Sequence, residues 1–278
     1  MNSLSLGGLL FLLAAGFSLI FGLMRIANLT HGSLFMLGAY VGVTTMRYVP
    51  SLTVAALAAG LSVALFGGLL ERFILRKISN NVLSQVLVTL GVSFIIADAC
   101  LLTWGGDPIP IPTPELLQKP VRLAGFIFPA YRLAVVVIAV VVAIGLYLLM
   151  DRTRLGAMIR AGVDDPEMAR AAGIPVSRLF TTVFCLGAAL AGAGGVIAGP
   201  INSAYPGLDA DMLPLALIVV ILGGVGSLLG AFVGAFITGF VYTFGVALLP
   251  DLAYVILFLP MILVIAFRPR GLFGKFAA

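Results

Sequence analysis

Long apolar runs separated by short polar segments form the main pattern of this chain. Most of the runs approach the ~20 residues that a helix needs to cross a bilayer. They lack the alternation of strands in a membrane barrel, and a helix satisfies its own backbone hydrogen bonds in lipid. The pattern predicts an all-α polytopic integral membrane protein, with candidate spans at residues 4–24, 31–47, 52–70, 82–103, 132–150, 179–200, 212–223, 227–249 and 251–267.

The segment at 212–223 is shorter than the other apolar runs. As a helix it would rise only about 18 Å, whereas the hydrocarbon core is about 30 Å thick. The residues at its end and just beyond, Gly223, Gly224, Gly226 and Ser227, indicate a break at membrane depth. Such breaks occur where protein or a water-filled cavity covers the freed backbone groups. We therefore expect eight full transmembrane helices plus one short or broken segment.

Composition and charge support a multi-pass membrane protein and indicate its orientation. The chain is 62% hydrophobic and 10% charged, with a mean hydropathy of +1.20, whereas about a quarter of the residues of a soluble domain are charged. Eleven of the sixteen Lys and Arg residues fall in the connections at 71–77, 151–178 and 268–275. Cytoplasmic loops are enriched in such residues. This predicts a cytoplasmic C-terminus, an external N-terminus and an external loop at 104–131, and no affinity for nucleic acid.

Motifs that would indicate catalysis are missing. The chain lacks the phosphate-binding pattern G-x-x-x-x-G-K-[ST], the zinc pattern H-E-x-x-H and the nucleophile pattern G-x-S-x-G. Cys100 and Cys185 both lie inside apolar segments, which argues against a disulfide framework or a metal cluster. The sequence predicts no enzymatic activity, no metal site and no cofactor held by this chain, so that any use of ATP belongs to a partner.

Asp98 is the only acidic residue squarely inside a predicted span. Ionisable groups in membrane segments are costly, which makes a proton or cation site one interpretation. The favoured interpretation is that Asp98 reaches the nearby interface or bonds a neighbouring helix. Ion-driven transporters usually carry polar residues on several helices, and these spans have few.

A polar stretch containing Asn28, Thr30 and His31 separates the first two apolar runs. His31 is the only histidine, and with no second histidine or nearby carboxylate a metal or proton-switch role loses support. We favour a structural role, in which the three side chains satisfy backbone groups freed between two helices. Direct contact with a substrate or with a partner permease is the alternative.

The residues at 32–42 weakly resemble those at 226–234, and both segments follow a predicted helix interruption. Paired Gly-interrupted segments in the two halves of a transporter point to a substrate site between them. An accidental match is the alternative, because Gly, Ala and Leu are abundant throughout. The candidate substrate-passage residues are Asn28, Thr30, His31, Gly223, Gly224, Gly226 and Ser227.

The connection at 151–178 carries the signals of a short capped helix. Asp164 or Asp165 is suited to the N-cap, Pro166 to the first helical position and Gly173 to a left-handed end. A second short helix is expected at 153–161. The connection is either an ordinary interfacial segment or a docking element for a cytoplasmic partner. The candidate coupling residues are Arg160, Asp164, Asp165, Glu167, Ala171, Gly173 and Ile174.

Four stretches resemble the branched-chain amino-acid permease family of ABC importers. The run AGVDDPEMARAAGIPVSRLF is similar to the family's cytoplasmic coupling segment, and RIANLTHGSLFMLGAYVG to its N-x-x-H-G segment. LGGVGSLLGAFVGA and RPRGLFG match as well, in the same order along the chain. The resemblance implies a single permease domain over 1–278 in the bacterial inner membrane, similar to the shorter of two homologous permeases.

The resemblance also implies partners and a substrate class. The partners would be a second permease, two cytoplasmic ATPases and an external substrate-binding protein. The passage would carry branched-chain or other hydrophobic amino acids, driven by ATP hydrolysis in the partners, although similar permeases carry urea, short amides or aromatic acids. The alternative from a different class is an ion-coupled secondary transporter or channel for small polar solutes.

Overall fold

A computed structural model describes residues 2–24, 28–78, 81–123 and 126–274 of the chain. A short antiparallel hairpin pairs β1 (Val121–Leu123) with β2 (Phe126–Phe128). The helices are α1 (Asn2–Met24), α2 (Thr30–Tyr48), α3 (Leu52–Phe73), α4 (Val82–Trp104), α5 (Ala130–Arg152), α6 (Arg154–Asp164), α7 (Pro166–Ala171), α8 (Val176–Asn202), α9 (Leu208–Gly223), α10 (Leu228–Leu248) and α11 (Ala253–Phe267).

Every predicted apolar segment overlaps a helix, so a mostly helical, polytopic membrane protein is confirmed. Six helices in the described part of the chain are long and apolar enough to cross a membrane, namely α1, α3, α4, α5, α8 and α10. Of the remaining apolar helices, α2 carries polar residues in its first and last turns, and α9 and α11 have only 16 and 15 residues. The count of eight full spans is not confirmed. The hairpin within the loop at 104–131 is an addition that the all-α prediction did not include.

The outer surface of the helical bundle is apolar. Large side chains such as Leu57, Leu61 and Leu102 are 68%, 72% and 87% exposed. Contiguous exposed apolar surface of this extent is suited to lipid rather than water, because soluble monomers rarely carry it. The core lies instead around α1, α2 and α8, where Phe11, Phe35 and Phe184 are fully buried.

Glycines allow α8 to pack closely against α2 and α3. A Cβ atom added at Gly192 would lie 2.8 Å from the carbonyl oxygen of Ala59 on α3. Gly38 of α2 faces Gly192, and a Cβ atom there would collide with the α8 backbone. Small residues permit this backbone contact in membrane helices, where van der Waals packing drives association.

Two helices begin in the interior of the bundle rather than at its ends. His31, at the start of α2, bonds Leu13, which is halfway along α1. Ser33 bonds Ser93, which is halfway along α4. Ser33 also bonds Asp209 in the first turn of α9. The first turns of α2 and α9 therefore meet at about the mid-depth of the long helices.

The break after α9 lies near one end of the bundle. Gly224 and Gly226 adopt φ angles of 99° and 77°, which favour glycine. A Cβ atom at Gly226 would lie 3.0 Å from the Cα of Gly22, close to the end of α1. The two segments that resemble each other in sequence thus begin at different depths, since α2 starts beside the middle of α1.

Candidate functional site

Asn28 organises the start of α2. Its side-chain Oδ1 accepts a hydrogen bond of 3.1 Å from the backbone N–H of Thr30, and its carbonyl accepts one of 3.2 Å from that of His31. Asn28 is fully buried. Residues 25–27, which belong to the same predicted hinge, lie outside the described residues. The described part of the hinge has the geometry expected for satisfying backbone groups that a new helix leaves free.

His31 joins α2 to α1. Its Nε2 lies 3.0 Å from the carbonyl oxygen of Leu13, and its ring meets that of Phe17 edge-on. Because a carbonyl can only accept, the proton lies on Nε2 and Nδ1 is left as an acceptor. Nδ1 has no hydrogen-bond partner among the described residues, and the side chain is fully buried. This geometry fits the structural role favoured for His31.

The opposite side of α2 carries a second set of polar contacts, made with α4. The Thr30 hydroxyl donates to the carbonyl oxygen of Thr89 at 3.1 Å, and the Thr89 hydroxyl accepts from the N–H of Leu29 at 3.3 Å. Thr30 and Thr89 are both fully buried. Among the predicted passage residues, Thr30 is therefore in contact with α4, whereas His31 faces α1.

A polar cluster one turn along α2 was not predicted from the sequence. Ser33 Oγ donates to Asp209 Oδ2 at 2.8 Å and also bonds Ser93 Oγ. Because the single hydroxyl proton of Ser33 goes to the carboxylate, Ser93 is the donor in the serine pair. The three residues connect α2, α4 and α9, and we call them the Asp209 cluster.

One sequence signal points to this cluster. Gln85, Thr89 and Ser93 are spaced four residues apart along an otherwise apolar span, which places them on one helix face. All three are buried, so this polar face of α4 points into the bundle. No comparable signal indicated Asp209, because the region 201–211 was expected to be an external loop. The structure instead places Asp209 in α9 beside Ser33.

The other predicted passage residues, Gly223, Gly224, Gly226 and Ser227, form a separate site near the C-terminal segment. Ser227 caps α10 by accepting from the N–H of Gly230 at 3.0 Å. The carbonyls of Leu222 and Gly223 accept from the N–H groups of Leu272 and Phe273. The end of the described chain thus covers backbone groups that the break frees, and the structure does not bring this turn together with Asn28 or His31.

The capped helix predicted in the connection at 151–178 is α7. Asp165, rather than Asp164, is its N-cap, and its Oδ1 accepts from Glu167 and Met168 at 3.0 and 2.9 Å. Asp164 is the last residue of α6, the second expected helix, which is capped by Thr153. Two short helices therefore connect α5 to α8.

Gly173 closes α7 in the manner expected. Its φ is 82°, and the N–H of Ile174 reaches back to the carbonyl of Ala169 at 2.9 Å. This bond from C″ to C3 is that of a Schellman motif. Ala169 is buried, whereas Glu167, Arg170 and Ala171 are exposed and Met168 is 65% exposed. The exposed side chains form a small surface with apolar and charged groups.

Arg160 does not belong to this surface. Its guanidinium donates to the carbonyl of Met150 and lies 3.3 Å from an oxygen of Asp151. These partners are at the end of α5, so Arg160 closes that helix instead of facing outward with α7. Cations near the last carbonyls of a helix stabilise it.

Asp98 lies on the outer surface of α4. It is exposed, between Ile95 and Leu102, which are 68% and 87% exposed. Within the described residues it makes no hydrogen bond or ion pair, so the favoured contact with a neighbouring helix is not seen. Cys100 and Cys185 are unpaired, and no three His, Cys, Asp or Glu side chains in the described part come together as a metal site.

Comparison with known proteins establishes the family. The family described as the branched-chain amino acid transport system permease component matches residues 1–265. The chain belongs to this family. No solved structure matches the chain.

Named relatives cover nearly all of the chain. It is 29% identical over 289 residues to the high-affinity branched-chain amino acid permease protein BraD of Pseudomonas aeruginosa, covering 99% of this chain and 94% of the relative. It is 26% identical to the corresponding protein LivH of Escherichia coli K12, with the same coverage. A fructose import permease protein, FrcC of Rhizobium meliloti, is 28% identical over 86% of this chain and 69% of its own length.

Proposed function

We propose that this chain forms, with a second and homologous permease, the passage of an ABC importer for branched-chain or other hydrophobic amino acids. The proposal rests on the family match over residues 1–265, together with relatives that are named for branched-chain amino acid transport. The chain contains no phosphate-binding loop of its own, so ATP would be hydrolysed by separate cytoplasmic subunits. An external binding protein would deliver the substrate.

The surface of α7 is the proposed contact with an ATPase subunit. It presents Glu167, Met168 and Ala171 outward and is held in place by the Asp165 cap and the Gly173 closure. A short rigid helix with an exposed methionine is suited to a groove on a partner. A movement of α7 would be transmitted to α8, which begins three residues after Gly173 and packs against α1, α2 and α3.

The proposed orientation has the N-terminus outside and the C-terminus in the cytoplasm. The α6–α7 connection and the segment after α11 then lie on the inner side, where their arginines satisfy the positive-inside tendency. The hairpin of β1 and β2 and the bridge between Ile109 and Ala204 would then lie outside.

Reconstitution tests the function directly. The complete importer, with both permeases, both ATPases and the binding protein, is placed in vesicles and supplied with radiolabelled L-leucine. ATP-dependent uptake that disappears when the ATPases are omitted supports the proposal. Uptake by this chain without ATPases, driven by a proton or sodium gradient, would contradict the proposal and identify an ion-coupled transporter.

A further inference from the structure

Asp209 is a carboxylate without a cationic partner in the interior of the bundle. It lies beside Ser33, which bonds the midpoint of α4 through Ser93. Within the described residues no Lys, Arg or His pairs with it. An ionised carboxylate at membrane depth is costly and is normally matched by a cation. The residues that the structure describes do not supply that cation, so a passing solute is the natural source.

The carboxylate also has room for another donor. Ser33 contacts Oδ2, whereas Oδ1 accepts no hydrogen bond from the residues that the structure describes. A carboxylate can accept about four hydrogen bonds. Asp209 is half-buried, in contrast to Ser33, which is fully buried. The serine pair thus fixes one oxygen in position while the other is free to bind.

A second unpaired polar group lies on the same side of α2. Tyr40 is seven residues beyond Ser33, on the same helix face, and is fully buried. Its hydroxyl has no partner among the described residues. Its ring stacks on that of Trp104, with the centroids 5.1 Å apart, so Tyr40 faces α4 as Ser33 does.

We propose that the Asp209 cluster receives the ammonium group of the transported amino acid at mid-depth, while the Tyr40 hydroxyl donates to its carboxylate. This inference rests on the proposed function and names the chemistry of its passage. The two groups are complementary to a zwitterion, since one is an anion and the other a donor. A neutral solute such as urea or a sugar would leave the carboxylate without a cation.

The test compares Asp209→Asn with Asp211→Asn in the reconstituted importer. Asp211 is in the same turn of α9 but exposed, where it accepts from the Tyr205 hydroxyl at 2.6 Å. Uptake of L-leucine should fall about tenfold or more in Asp209→Asn, since a hydrogen bond to a charged group is lost. Stimulation of ATP hydrolysis by the loaded binding protein should stay within about twofold, and Asp211→Asn should transport normally.

Two further variants separate binding from folding. Asp209→Glu keeps the charge and should recover part of the uptake that Asp209→Asn loses, and Tyr40→Phe should lower uptake with an unchanged protein level. The inference is overturned if Asp209→Asn imports leucine within about twofold of the unmodified complex. It is also overturned if Asp209→Asn and Asp209→Glu reduce membrane protein level and thermal stability together, because that result identifies a structural role.

The same experiment distinguishes failure of the inference from failure of the proposed function. If the unmodified importer carries fructose and not leucine, the amino-acid function fails and the ammonium site fails with it. If the unmodified importer carries leucine and Asp209→Asn does so equally well, only the ammonium site fails.

Discussion

Thr181 donates a hydrogen bond of 2.7 Å to Oε2 of Glu71, which joins the start of α8 to the end of α3. Glu71 is only 1% exposed and is paired with Arg76 at 2.9 Å. Arg76 also donates to the carbonyl of Ser177 in the first turn of α8. The end of α8 that follows α7 is therefore fixed to α3 by a buried carboxylate.

Replacing Glu71 with Ala should destabilise the purified chain by about 1–3 kcal/mol, because the Arg76 and Thr181 donors lose a charged acceptor. The measurement is thermal unfolding in detergent. Asp151→Ala is the matched control, since its ion pair with Arg160 is 47% and 43% exposed. Exposed pairs contribute about 0–1 kcal/mol. Equal effects of the two variants would show that the Glu71 network is no stronger than a surface pair.

Replacing Asp165 with Ala should loosen α7 by about 1 kcal/mol, because Asp165 caps the N–H groups of Glu167 and Met168. Asp164→Ala is the control, since Asp164 is outside this cap. Faster backbone hydrogen exchange at residues 167–171 in Asp165→Ala, with no change in Asp164→Ala, is the expected result. Asp165→Asn should exchange as slowly as the unmodified chain, and fast exchange there would contradict the capping role.

The apolar segments could be predicted from the sequence because lipid imposes one simple requirement on every span. The N-cap and the closing glycine of α7 were also predictable, since capping depends on residues a few positions apart. Which of Asp164 and Asp165 is the N-cap could not be predicted, because either side chain can accept the same hydrogen bonds. The position where α6 ends decides between them.

The candidate site could be predicted only in part. The spacing of Thr89 and Ser93 indicates a polar helix face, but nothing local shows which helix covers it. Asp209 reaches Ser33 across 176 positions and Glu71 reaches Thr181 across 110. Such pairs depend on how the helices pack and on how deep in the bundle α9 begins. Neither feature produces a periodic pattern in the sequence.

Replacing His31 with Gln should preserve substrate preference while lowering protein level modestly. The Gln amide can still donate to the Leu13 carbonyl that Nε2 of His31 now contacts. His31→Leu removes the donor and should lower the level further. Competition of unlabelled amino acids against leucine uptake measures preference, and immunoblotting of membranes measures level. A changed order of preference in His31→Gln would favour direct contact with substrate over the structural role.

Replacing Gly173 with Val should uncouple ATP hydrolysis from uptake. Gly173 has φ 82°, and nothing lies within 4 Å of an added Cβ, so the cost comes from the backbone and not from a clash. A β-branched residue resists this conformation by about 1–2 kcal/mol or more, which would reposition the chain between α7 and α8. Asn tolerates the same conformation, which makes Gly173→Asn the matched control. The ratio of leucine imported to ATP hydrolysed should fall in Gly173→Val and stay near normal in Gly173→Asn. An unchanged ratio in Gly173→Val, at normal membrane level, would show that the closure of α7 does not transmit the ATPase signal.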